Sequence, residues 1–539
     1  DYELTIGLGE RQKIDSIRIV YPDKRFSVIQ NPGINKILVL NQSEASETLS
    51  QKNKKRNTWF EELPSDFQKN KEDQHVDFDY EGLIPKMQSR EGPAIAIADL
   101  NSDGNDDVYI GAAFGNSGRI YVQNKPGKLE KIAFDGGEDF EDTDAEFADI
   151  DGDNDLDLLV TSGGNFKNAR TGLRVYINEG NMQFSDYQVI VFSPNNISNV
   201  ETADFDGDGD IDLFVGAYTV PGIYGLKVSS LLLENDGKGH FKNVTETAAP
   251  KLVDIGMVTS AVFDDFNGDD KIDLAVAGEW MSPKIFINQK GKLNLQKNKL
   301  SELPGLYNSV FAKDLNNDGK IDLVFGNRGL NSDYKASKSS PAKMFVTDFD
   351  LNGTVEQIFT KTIEGRDIPL HTKRELASQI VSIKKQNLKF SEYANKSIQD
   401  LFSPEVLSKA EVYQITNFES IVAYNDGNAN FTLESLPAEA QFSCICSINS
   451  ADFNQDGRED LLLAGNNYSL KPQFGRMDAN FGTILLNQKD GFKIANSSQT
   501  GLMLEGEVKA LKWMKDSKGN KYLIAGITDS KPKLFKRNE

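Results

Sequence analysis

The sequence predicts an all-β fold, a seven-bladed β-propeller with calcium-binding loops, and three observations predict it. A nine-residue acidic pattern recurs seven times, beginning at Asp99, Asp149, Asp204, Asp265, Asp314, Asp348 and Asp452, which marks a repeat protein. Six of the copies run straight into short apolar segments such as Asp212-Leu213-Phe214-Val215-Gly216 and Asp460-Leu461-Leu462-Leu463-Ala464-Gly465. Rich in β-formers and closed by glycine, these read as buried strands. The starts at 99, 149, 204, 265 and 314 are separated by 50, 55, 61 and 49 residues, and a four-stranded blade takes roughly 40 to 50 residues plus connections.

Each column of the pattern has a physical reading. The first position is always Asp. The third is Asn101, Asp151, Asp206, Asn267, Asn316, Asp350 and Asn454, short side chains ending in oxygen, as a monodentate cation ligand requires. The fifth is Asp103, Asp153, Asp208, Asp269, Asp318, Asn352 and Asp456, and the ninth Asp107, Asp157, Asp212, Asp273, Asp322, Glu356 and Asp460. Oxygens at one, three, five and nine can converge on one hard cation, and calcium is the natural occupant. The sixth position is Gly104, Asn154, Gly209, Asp270, Gly319, Gly353 and Gly457, the residue types that enter the left-handed region most cheaply. The seventh is Asn105, Asp155, Asp210, Lys271, Lys320, Thr354 and Arg458; side chains so unlike one another point to a backbone carbonyl ligand.

A solvated turn accounts for any single Asp/Gly-rich loop, but not for seven matched copies. An EF-hand needs a bidentate Glu at position twelve and flanking helices, whereas the twelfth residues here are Ile110, Val160, Val215, Val276, Phe325, Phe359 and Leu463.

Composition agrees. At 539 residues, 38% hydrophobic and 26% charged, the chain is globular material for a small module plus one large repeat domain, or for two to three ordinary domains. The net charge of −21 disfavours nucleic acid and anionic membranes as partners, and the loops account for much of it. Seven divalent ions would bring the formal charge from −21 to −7. Without them each loop crowds three or four acidic side chains, so the fold is expected to depend on the ion. No apolar run approaches a membrane span and no signal peptide opens the chain. It starts at Asp1 in what reads as the middle of a domain, so a C-terminal fragment or processed product is expected. Cys444 and Cys446, two apart on one strand, read as free thiols; only His75, His240 and His371 are present, which leaves no Cys/His zinc spacing.

Taken in order, residues 1–45 form a small β unit, with period-two alternation over Lys13-Ile14-Asp15-Ser16-Ile17-Arg18-Ile19-Val20-Tyr21. Residues 46–74 read as a polar linker, in which Lys52, Lys54, Lys55 and Arg56 are solvated rather than a binding patch. The propeller runs over 75–539. After the loop at 314 the next regular copy is at 452, a gap of 138 residues that must hold an insertion, and the copy at 348 falls in the outer hairpin of the fifth blade. The insertion, about 364–412, reads as helical: Thr372 with Glu375 forms a capping box ahead of Leu376, Ile380 and Ile383, and Ser403-Pro404-Glu405 opens another helix. Such an excursion serves equally well as a partner-binding arm or as packing over a blade edge. The last segment, Val508 to Trp513 and Tyr522 to Gly526, keeps the blade rhythm without the cation ligands and completes seven.

These repeats resemble the FG-GAP or VCBS family, which includes the seven-bladed integrin α propellers, and the resemblance implies calcium within the blades. The stretch Leu4-Thr5-Ile6-Gly7-Leu8-Gly9, the strand that follows it, Tyr21-Pro22-Asp23-Lys24 and Asn31-Pro32-Gly33 resemble the C-terminal half of an UnbV/ASPIC domain. The two together, with Ser89-Arg90-Glu91-Gly92-Pro93, Gly329-Leu330-Asn331 and Gly475 to Gly482, are similar to a family of large secreted or surface proteins. That resemblance implies an extracellular or outer-membrane location and outer-membrane nutrient importers as neighbours. The loops depart from the family pattern at Asn154, Asp270, Asn352 and Glu356.

The functional expectation is a non-catalytic, calcium-stabilised surface module that binds a protein or glycan, or a scaffold subunit of an envelope complex. The alternative is a calcium-dependent polysaccharide lyase or other glycan-active propeller enzyme. Against it, the His are scattered and the carboxylates are committed to metal; Lys, Arg and Tyr remain available as lyase base and acid. Trp280, Tyr468 and Phe481 follow strand ends, where a propeller face meets ligands, although core or hairpin packing is the plainer reading of each.

Overall fold

The computed structural model describes residues 4–45, 47–48, 58–134, 136–165, 170–332 and 334–538, in two compact units, 1–57 and 58–539. Lys52, Lys54, Lys55 and Arg56 lie outside the described residues. In the small unit Ser16–Val20 pairs antiparallel with Arg25–Gln30, which pairs with Glu47–Thr48. The alternating run thus forms a strand shorter than its pattern. A tight turn closes the hairpin, with the Lys24 N–H donating to the Tyr21 carbonyl at 2.9 Å and Arg25 Nε to the Asp23 carboxylate at 2.7 Å.

The large unit is a succession of four-stranded antiparallel sheets in which, the last sheet's fourth strand apart, strands follow one another in space as they do in the chain. They are built from 95–131, 141–192, 197–243, 257–296, 305–327 with 421–435, 445–494, and 508–537 with 60–63. The fourth and fifth are joined where Glu279 and Met281 pair with Leu306 and Gly305. The first strand of each sheet lies beside the first strand of the next, and Val508–Lys515 of the last lies beside Ile95–Ala98 of the first.

The second strands are buried on both faces, and their period of two divides them between neighbours. Leu158 and Val160 pack with Tyr109 and Ile120 of the preceding sheet, while Leu159 packs with Leu213 and Val215 of the following one. The pattern repeats: Phe214 meets Leu274 and Val276, Ala275 meets Leu323 and Phe325, Val324 meets Leu461 and Leu463, and Leu462 meets Leu523 and Ala525. Ile524 then meets Val108 and Ile110 of the first sheet. Near-continuous apolar runs are what such strands require, and each fully buried Leu, Val or Phe contributes about 1.5–3 kcal/mol.

Two boundaries differ from the sequence reading. Phe60–Leu63, inside the stretch read as a linker, pairs with Lys533–Arg537 and supplies the fourth strand of the last sheet. Phe60 is 1% exposed and stacks near Trp513 and Phe453, so a few aromatics in a polar context decided the outcome. The insertion is also larger than its helical part. Between Asp322–Asn327 and Ile421–Asn425 of the fifth sheet, the chain builds a separate four-stranded sheet from 342–347, 356–363, 366–369 and 411–415. Short helices over 373–407 are packed against it. The loop at 348 therefore joins two strands of this inserted sheet instead of the outer hairpin of the fifth. The helices need that platform: Leu376, Ile380 and Ile383, all buried as their spacing suggested, pack with Phe345, Phe349 and Ile358. The Thr372–Glu375 capping box forms, and Ser403 caps the last helix. Among the described residues no helix is long and apolar enough to cross a membrane.

Candidate metal centres

All seven acidic loops occupy the same place, directly after one strand and ending on the first residue of its antiparallel partner. The residue before each loop pairs with the ninth position, as in Ala98 with Asp107 and Ala203 with Asp212. Inside the loop the first-position carboxylate accepts backbone N–H groups. Asp204 takes those of Gly207 (2.7 Å), Asp208 (3.1 Å) and Gly209 (3.0 Å); Asp99, Asp314, Asp348 and Asp452 each take the N–H groups of positions five and six. Curling the chain this tightly takes two left-handed residues. The sixth position is one, as expected, including Asn154 (φ 72°) and Asp270 (φ 61°). These departures leave the geometry intact, because the two residues still donate to Asp149 at 3.0 Å and Asp265 at 2.7 Å. The other is the fourth position, which the sequence reading missed: Ser102, Gly152, Gly207, Gly268, Asn317, Leu351 and Gln455 all have positive φ. Their mixed identities hid the constraint.

The fifth-position side chain accepts the N–H of position seven in every loop, from Asp103 with Asn105 (2.8 Å) to Asp456 with Arg458 (3.0 Å). Seventh-position side chains have roles of their own. Lys271 Nζ lies 2.8 Å from Asp269 and Lys320 Nζ 3.4 Å from Asp318, so in those loops a lysine offsets part of the acidic charge.

The ninth position is the buried anchor. Asp107, Asp157, Asp273, Asp322 and Asp460 are 0% exposed and Asp212 is 1% exposed. One carboxylate oxygen accepts the N–H of the loop's second residue, as in Phe205 to Asp212 at 3.2 Å, and the other accepts an N–H from the third strand, as in Asn235 to Asp212 at 2.8 Å. Glu356 reaches Phe349 with one oxygen and Thr354 with the other. Burial, reinforced by the other loop carboxylates, pushes Asp107, Asp157, Asp273 and Asp322 up to about 6 and Asp212 to about 7. A cation is the group that would relieve that repulsion.

The residues fit such an ion. Single oxygens of Asp149, Asp151 and Asp157 lie within 4.8 Å of one another, as do those of Asp204, Asp206 and Asp212 and those of Asp348, Asp350 and Glu356. Asp350 Oδ1 is buried with no hydrogen-bond partner. In the other four loops the third residue is Asn, which offers an amide oxygen in place of a carboxylate. An oxygen-only donor set of this kind suits a hard cation.

The sequence reading also missed a row of buried amides on the third strands: Gln123, Asn178, Asn235, Asn288, Asn425 and Asn487. Each donates to the eighth carbonyl of its own sheet's loop. Asn235, Asn288, Asn425 and Asn487 also donate to the second-position carbonyl of the preceding sheet's loop, at Ile150, Phe205, Phe266 and Leu315 respectively. They latch one loop to the next. The signal was there, an Asn, or Gln in the first sheet, two to four residues before a Gly at the end of the outer strand in each of these six sheets, but it reads equally as a turn.

The remaining candidates separate. Trp280 is buried and donates to the Tyr224 hydroxyl at 3.0 Å; Phe481 is 46% exposed; Tyr468 lies beneath Arg476, 4.8 Å from ring centroid to guanidinium. His371 is buried, accepts the Phe359 N–H at 3.2 Å, and is held down to about 3 by burial and by Lys471. Cys444 and Cys446 are free, their sulfurs 3.8 Å apart.

Sheets that follow one another in chain order, all but the last carrying an acidic loop between its first two strands, define a class of β-repeat protein. Comparison with protein families matches residues 99–160, 162–215 and 265–325 to the FG-GAP-like repeat and residues 1–47 to ASPIC and UnbV. The chain therefore contains FG-GAP-like repeats and an ASPIC/UnbV segment. No match is found among curated proteins. Among solved structures the chain is similar to Saccharomyces cerevisiae Sqt1, at 10% identity over 85% of this chain and 100% of that one, with a TM-score of 0.41. It is also similar to BBS1N in complex with ARL6DN, at 10% identity over 89% of this chain and 97% of that one, with a TM-score of 0.38.

Proposed function

We propose that the large unit is a seven-bladed β-propeller whose acidic loops hold structural calcium, and that the chain is a non-catalytic binding or scaffold module at the cell surface. The observation that carries this reading is the double commitment of the ninth-position carboxylates. Each faces the other oxygen-bearing side chains of its loop, and the six aspartates among them tie the loop's own backbone to the third strand, so an ion there braces the sheet instead of meeting a substrate. The closing contact of Val508–Lys515 with Ile95–Ala98 supports a ring, and the latching amides support loops that act together. Extracellular modules bind calcium at about 0.1–1 mM, which suits an exported protein. The partner is an envelope protein or glycan, and an outer-membrane importer is the one that the family resemblance implies.

Two measurements test this. Calcium titration by calorimetry should show several ions per chain, and chelation should lower the melting temperature by at least about 10 °C; an unchanged melting temperature sinks the structural role. A pull-down from the native envelope should retain a stoichiometric partner with calcium and lose it with chelator. Recovery of the chain alone under both conditions, together with turnover of a polysaccharide, would replace the binding module with an enzyme.

A further inference from the structure

In the first six sheets the acidic loops join the first strand to the second, so the connections from second to third strand emerge at the opposite end. Two such connections, the one leaving Asp322–Asn327 and the one leaving Asp460–Gly465, enclose a cavity of about 240 Å3 with a different character. Arg328, Lys335 and Arg476 line it together with Tyr334 and Phe474, and no carboxylate is among the described residues lining it. In a chain of net charge −21 three cations around one hollow call for an explanation.

Arg328 is the telling residue. It is 8% exposed, its Nε has no hydrogen-bond partner, and its guanidinium stands 4.9 Å from the centre of the Tyr334 ring. The buried carboxylate of Glu279, which borders a neighbouring small cavity with Arg328, is already engaged by Lys86 Nζ at 3.2 Å and by the hydroxyls of Tyr218 and Tyr224 at 2.8 and 2.6 Å. Among the described residues no carboxylate forms an ion pair with Arg328; a guanidinium taken from water is costly to leave so, and its planar fork matches a carboxylate. Tyr334 and Phe474, 5.8 Å apart between ring centres, supply apolar surface beside the charges. The volume falls below the roughly 300–1,000 Å3 of pockets for drug-sized ligands, so the hollow suits a single ring more than an extended chain.

We infer that this cavity binds the carboxylate of an acidic sugar, with Arg328 and Arg476 on the carboxylate and the aromatic pair against the ring. The inference deepens the proposed binding role and rests on it. The test is calorimetry on the calcium-loaded full chain with glucuronate, glucose and sodium sulfate as probes. Glucuronate should bind saturably, at least about tenfold tighter than either control, and Arg328→Gln should weaken it at least about tenfold. Arg476→Gln and Lys335→Gln, at exposed positions, carry the test if Arg328→Gln fails to fold. Glucuronate binding no tighter than sulfate or glucose, or unchanged in Arg476→Gln, overturns the assignment. Either result is independent of the envelope pull-down, whose failure would instead remove the scaffold reading.

Discussion

Leu351 occupies the fourth position of its loop with φ 60° and a side chain 68% exposed, a left-handed backbone that disfavours any β-carbon by about 1–2 kcal/mol. Glycine would remove that strain at the expense of a floppier unfolded chain, so Leu351→Gly is expected to raise stability by up to about 1 kcal/mol in urea unfolding; a loss would mean that Leu351 packs in a way its exposure does not show. Glu146 shows the opposite kind of strain. Burial, with Asp144 nearby, pushes its carboxyl up to about 7 from 4.5 against the opposing bond from Thr202. A folded pKa above the unfolded one means that the native state binds the extra proton. Stability from this group is therefore full below about 4.5, falls as pH rises towards about 7, and is level beyond. Glu146→Gln should gain on the order of 1–3 kcal/mol above that window, and nothing below it. The check is the wild-type-minus-variant difference across pH in saturating calcium.

At the scale of the element, the latching amides make adjacent sheets interdependent. Asn235 accounts for one hydrogen bond to its own loop (3.0 Å) and one to the preceding loop (2.8 Å). Asn235→Ala would leave the Ile150 and Ile211 carbonyls unsatisfied, a cost of about 1–3 kcal/mol for each buried group. The expected outcome is a loss of at least about 2 kcal/mol, with weaker calcium binding in the loops of both the second and third sheets; an effect confined to one loop would refute the coupling. How far such features were legible differs by column. The ligand columns were plain because chemistry restricts them to oxygen-bearing side chains. The fourth position was hidden because only its backbone is constrained, and the amides were hidden because one of their two partners lies in another sheet.

At the scale of the whole molecule, the last sheet is completed by a short strand far from its partner in sequence. Phe60–Leu63 pairs with Lys533–Arg537, and Phe60 packs with Leu523, Phe535 and Phe453 in the cluster between the last two sheets. Phe60→Ala should cost about 3–5 kcal/mol and expose the edge of the last sheet, read as faster amide exchange over 533–537 in particular. Exchange that rises equally over all sheets would show that the strand has no special part in completing the last one.

The sequence by itself determined what is local. Nine-residue spacing brings the loop oxygens together, alternation and apolar runs specify strands that must be covered, and the Thr372–Glu375 box starts its helix, because each depends on groups within about a dozen residues. Tertiary structure decided what is remote. It assigned 342–415 to a sheet of their own, recruited Phe60–Leu63 across more than four hundred residues, and set Arg328, Lys335 and Arg476 around one hollow. The physical reason is that strand pairing and side-chain convergence depend on which surfaces remain unpaired once the neighbouring sheets have packed, and a linear pattern does not carry that information.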